Sequence, residues 1–125
     1  MPLLSADAAF LNGRSGEYEA FDEGGFTCVV LKRNELPPAY APRVVDLLVR
    51  LPAGYPNANP DMFWTTPGVR LVSGAEPTGA GVLEIHGQRT WQRWSRHYPQ
   101  GSWRPGVDSL RTYVATVHRE LHRGV

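Results

Sequence analysis

The sequence predicts an α+β domain in which a four-stranded antiparallel meander packs against one C-terminal helix. Two runs rich in β-branched residues, Phe26–Lys32 and Val44–Leu51, stand either side of a proline loop. The 13 glycines and 11 prolines cut the chain into short pieces, which suits strands better than long helices. One long apolar stripe at helical spacing occurs only near the end. A chain of 125 residues fits a single domain, residues 1–125, with one ordinary core.

Leu3 to Leu11 is expected to form a short helix, capped by Ser5 or Asp7 and stopped by Asn12-Gly13. Tyr18–Phe21 alternates as a strand, and Asp22-Glu23-Gly24-Gly25 reads as a tight turn because glycine adopts positive φ cheaply. Phe26–Lys32 is the next strand. Leu36–Pro42 cannot be a central strand, since proline has no amide donor. Val44–Leu51 resumes the sheet, Pro52–Pro60 is a rigid irregular loop, and Asp61–Thr66 is a further strand.

Residues 67–104 hold much Gly, Pro, Trp and Arg, with one strand-like piece at Val82–Ile85, and are expected to be a long irregular crossover. Pro105 suits the first turn of a helix. Val107, Leu110, Val114, Val117 and Leu121 then form an apolar stripe, with Gly124 just past the helix end.

Composition narrows the function classes. The 42% hydrophobic and 20% charged fractions are those of a globular protein, and no apolar run approaches the ~18 residues that span a bilayer. Met1–Asp7 lacks the basic start and apolar segment of a signal peptide, so a cytoplasmic location is the expectation. The lone Cys28 lies among valines, where a buried hydrophobe is the expected role. Residues 1–83 carry 6 basic and 9 acidic side chains, whereas residues 84–125 carry 7 and 3 together with all four histidines. One end of the molecule is therefore mildly positive, either a surface for a partner or a solvated helix face.

No cofactor motif stands out. Gly74–Gly81 is glycine-rich but lacks the Gly-Lys-Ser/Thr ending of a phosphate loop, and Gly13-Arg14-Ser15-Gly16 follows no strong strand as a hydrolase elbow would. His118 and His122 stand four apart without a third ligand type nearby, which reads as a surface pair rather than a metal site.

Four segments, in order, resemble the ubiquitin-conjugating (UBC-like) enzymes from Phe21 to Leu121. Glu23-Gly24-Gly25-Phe26 is similar to the family's turn into its second strand, and Leu51–Pro60 to its Tyr-Pro loop. Phe63–Pro67 resembles the end of the fourth strand, and Trp103–Leu110 the Trp-x-Pro segment leading into the second helix. The nearest resemblance is to divergent bacterial members. It implies a UBC-like fold, a ubiquitin-like modifier and an activating enzyme as partners, and a conjugating step.

In that family the catalytic cysteine lies about eight residues before the Trp-x-Pro tryptophan. Here that count from Trp103 reaches Ser95, and no cysteine is present there. The family's His-Pro-Asn triplet, about ten residues before the cysteine, has a partial counterpart in His86-Gly87-Gln88. The resemblance thus implies that Ser95 carries the modifier as an oxygen ester. His97 or His86 would serve as base, and Gln88 as the donor to the developing oxyanion. Trp91, Trp94 and Trp103 would exclude water from the ester.

Two other readings stand beside this one. The domain is a catalytically inactive adaptor that binds a ubiquitin-like protein or an activating enzyme. Or Arg89, Trp91, Arg93, Trp94, Arg96 and His97 form a single-strand nucleic-acid platform, against which the net charge of +1 argues.

Overall fold

The computed structural model describes residues 3–14 and 16–123. The elements in chain order are α1 (Ser5–Gly13), β1 (Tyr18–Glu23), β2 (Phe26–Glu35), β3 (Tyr40–Ala41), β4 (Val44–Leu51), β5 (Phe63–Thr66), β6 (Arg70–Leu71), β7 (Val82–His86), β8 (Arg89–Trp94) and α2 (Leu110–Arg123). The α+β class agrees with expectation, but the sheet has six strands rather than four, in the order β1-β2-β4-β5-β8-β7, all pairs antiparallel. The two-residue β3 and β6 pair separately.

The added pair, β7–β8, comes from the stretch expected to be irregular. Arg89–Trp94 escapes a strand reading because Arg89 and Thr90 are exposed in succession and Arg93 is half-buried, while Trp91 and Trp94 break strict alternation. The hairpin closes on Gly87-Gln88, at φ +56° and +67°. A Cβ on Gly87 would stand 2.6 Å from the Phe21 ring, so this glycine is required by a close approach as well as by its backbone. Phe21 lies on β1, at the opposite edge of the sheet. The sheet therefore curls until its first strand meets the tip of its last hairpin.

The larger core lies between the sheet and the helices. It includes Leu31, Leu47, Val49, Phe63 and Trp94 from the sheet, Leu11 from α1, and Leu110, Val114, Val117 and Leu121 from α2. Cys28, Val30, Leu48, Trp64 and Trp91 form a second, smaller cluster, joined by Phe21, Phe26 and Met62. Cys28 is fully buried, as its valine neighbours suggested.

Three helix readings change. Neither Ser5 nor Asp7 caps α1; Leu4 holds that position without a side-chain bond. Asp7 instead lies buried and serves the other helix: its Oδ1 accepts from the Leu110 amide at 3.3 Å and its Oδ2 from the Tyr55 hydroxyl at 2.6 Å. The Tyr55 oxygen also accepts from Leu110 N at 2.8 Å, so the proline loop and α1 jointly cap α2. α2 begins at Leu110 rather than Pro105, because Asp108 turns back to accept from the Arg104 amide and closes a tight turn over 104–108. Val107 consequently leaves the apolar stripe and is exposed. Gly124, expected past the helix end, and Ser15 of the rejected elbow lie outside the described residues.

Candidate functional site

The residues singled out from sequence lie along the β7–β8 hairpin and just after it. At the tip, His86 is nearly buried between two carboxylates: its Nδ1 is 2.8 Å from Glu23 Oε1 and its Nε2 2.9 Å from Glu84 Oε1. Glu23 also accepts the Gly87 amide at 2.8 Å and faces Arg50 at 3.6 Å. These contacts hold its carboxyl below the ordinary carboxylate value, the Gly87 amide contributing most and His86 next. Burial pushes Glu84 upward, but donors from His86, Trp64 Nε1 and Arg93 outweigh it and keep that carboxyl low too. Gln88 occupies the turn itself and is exposed.

Ser95 follows the far end of β8. Six residues of strand at ~3.3 Å each put roughly 20 Å between the tip and the base of the hairpin. The structure therefore does not bring His86 or Gln88 to Ser95; a two-residue turn sends them to the other end of the ladder, where His86 pairs with Arg89. The Ser95 amide donates to Gly79 O at 2.8 Å, and its hydroxyl accepts from Arg93 Nε at 3.1 Å. Arg93 in turn reaches Glu84 at 2.8 Å, on the sheet face that holds His86.

His97 lies elsewhere. Its Nδ1 is 2.6 Å from Asp61 Oδ2, while Asp61 Oδ1 accepts the Tyr98 amide at 2.8 Å. It borders a recess of about 230 Å³ against α2, with Phe63, Tyr98, Tyr113 and Val117 among the lining residues. The Ser95 hydroxyl is thus drawn toward the Arg93–Glu84 side of the sheet, and His97 toward the helix side.

The tryptophans do not form a screen around Ser95. Trp91 and Trp94 are buried, one in each core cluster. Trp103 is half-buried and donates to Pro56 O at 2.8 Å beside the proline loop. The cations that interleave with them lie on their rings, Arg89 at 4.9 Å from Trp91 and Arg96 at 5.0 Å from Trp94, so neither ring is open to a nucleobase. Burial raises the Cys28 thiol pKa, so it is held as a thiol.

Gln92 escapes a sequence reading altogether. Buried, it accepts from Thr65 Oγ1 and the Val69 amide, and donates to the carbonyls of Val69 and Ala80. With the Ser95 amide on Gly79, it ties the 67–81 loop to the sheet. Gln92 thus satisfies three backbone groups of that loop, the Val69 amide and the carbonyls of Val69 and Ala80.

A family model described as prokaryotic E2 family E matches residues 3–124, almost the whole chain. The chain belongs to that family. It is accordingly an E2-like, that is ubiquitin-conjugating-like, protein, as the Tyr-Pro loop and the Trp-x-Pro segment implied. No curated protein and no solved structure matches it. None of the described helices of this E2-like protein is long and apolar enough to cross a membrane.

Proposed function

We propose that this E2-like protein acts as a non-covalent docking module for a ubiquitin-like modifier and its activating enzyme. The observation that carries this reading is the partner of Ser95, which is Arg93 rather than a histidine. A serine hydroxyl needs an adjacent base to become a nucleophile. His86 is committed at both ring nitrogens to Glu23 and Glu84. His97, held at Nδ1 by Asp61, lies on the helix side and makes no bond to the Ser95 hydroxyl, which Arg93 holds. Burial of Cys28 removes the alternative of a thioester on that residue.

A second reading keeps Ser95 as an oxygen-ester carrier. What favours it is the same contact, since a guanidinium donor at 3.1 Å stabilises negative charge that develops on the serine oxygen. Incubating the purified protein with a ubiquitin-like modifier, an activating enzyme that charges it, and ATP separates the two by intact mass. The docking reading expects an unmodified mass together with co-elution of a partner, unchanged in Ser95→Ala. An adduct on Ser95 that resists thiol reductant, yields to hydroxylamine and vanishes in Ser95→Ala would overturn it.

A further inference from the structure

The two edges of the curled sheet differ in how they are guarded. β1 carries Glu19, Asp22 and Glu23 along its six residues, and charge on an edge strand discourages pairing with another chain. β7 is Val82-Leu83-Glu84-Ile85-His86, with no proline or lysine. Its two polar residues are turned inward, toward Trp64 and Glu23, while Leu83 is 67% and Ile85 72% exposed.

Backbone phase makes this edge specific. His86 and Arg89 flank a two-residue turn, so they form a hydrogen-bonded pair, and alternation turns the Glu84 and Val82 groups toward β8 as well. The N–H and C=O groups of Leu83 and Ile85 therefore point away from the sheet. Their side chains share one face, and a recess of about 290 Å³ beside Leu83 is lined by Val69, Ala80 and Gly81 among others.

We infer that β7 is a strand-addition site, which takes an extended segment of a partner protein with apolar side chains at alternate positions. Main-chain hydrogen bonds to Leu83 and Ile85 supply affinity, and the two exposed side chains select the apolar positions, while Arg70 and Glu76 give the adjoining recess a charged wall. The occupant is a partner segment rather than a second copy of this chain. Two five-residue edges paired directly span roughly 17 Å. Such a contact buries well under the ~1,000 Å² that a specific dimer needs. The inference does not depend on whether Ser95 reacts.

The test is a bead library of acetylated heptapeptides, with Val, Ile, Leu or Phe alternating with Thr, Ser, Lys or Glu, probed with the labelled full chain. Beads are expected to retain the wild type. Ile85→Pro, which deletes one outward N–H and none toward β8, is expected to weaken retention about tenfold or more. Leu83→Thr/Ile85→Thr keeps strand propensity, removes the apolar surface and gives the same loss, so the test stands even if the proline variant does not fold. No retention of the wild type, or retention indifferent to both variants, overturns the inference. So does a wild-type dimer in sedimentation that either variant dissolves, since the occupant is then a second copy.

Discussion

His86 and His97 are both paired with carboxylates, yet they are opposite kinds of site. His86 is 8% exposed, has a carboxylate at each ring nitrogen, and joins the hairpin tip to β1. The His97 side chain is 66% exposed, and its pairing is with Asp61 alone, beside an open recess. A histidine with both nitrogens engaged in a closed sheet is a fastener. One held at Nδ1, with the rest of its ring in solvent, remains available to a partner. Burial and the number of partners, rather than the residue pair, decide which role is possible.

The largest expected effect falls on the fastener. Gly87→Ala must take positive φ and meet the Phe21 ring, and is expected to cost about 1–3 kcal/mol in chemical denaturation. His86→Ala leaves Glu23 and Glu84 without a shared donor, and a loss on the order of 2 kcal/mol is expected by the same measurement. If either variant were as stable as the wild type, closure of the sheet would not depend on the tip.

Acid provides the next probe. Glu23 and Glu84 both titrate below their ordinary value of 4.5 when folded. Their contribution is thus complete above that pH and is lost progressively as pH falls through the lowered folded values. The denaturation midpoint of the wild type is expected to drop on acidification below 4.5, and His86→Ala to show a shallower drop. Equal slopes would separate His86 from the carboxylates.

The exposed pair is expected to contribute least to stability. Asp61→Asn should cost about 1 kcal/mol or less, because an open ion pair is screened by water, although the Tyr98 amide also loses a charged acceptor. Its clearer signature is the Tyr98 amide resonance in NMR, which should shift on losing that acceptor while the Gly87 amide, held by Glu23, stays fixed. Ser95→Ala is expected to stay within about 0.5 kcal/mol of the wild type, since the hydroxyl is an accessory acceptor for Arg93.

Local signals carried much of this far. The runs at Phe26–Lys32 and Val44–Leu51 read as strands because β-branched residues on a pleated surface leave few alternatives. The Gly24-Gly25 turn, the helix stripe from Leu110 to Leu121 and the burial of Cys28 were equally local. The Tyr-Pro and Trp-x-Pro segments made the family legible, since each is short, ordered and spaced along one chain.

The hairpin at residues 82–94 was only half legible, because Arg89–Trp94 belongs to two cores at once and follows no single period. The roles of Asp7, Glu23 and Gln92 were hidden for a different reason. Their partners lie 103, 64 and 23 residues away in sequence, so nothing local distinguishes them from solvated polar residues.

The sequence by itself determined the α+β class, the main strands, the terminal helix and the family, all consequences of short-range propensity and motif order. Tertiary structure alone decided that the sheet has six strands and curls, that His86 fastens it, and that Ser95 faces Arg93 instead of a base. Those outcomes depend on which distant groups can be buried together with their hydrogen bonds satisfied. That condition belongs to the closed sheet and to none of its segments.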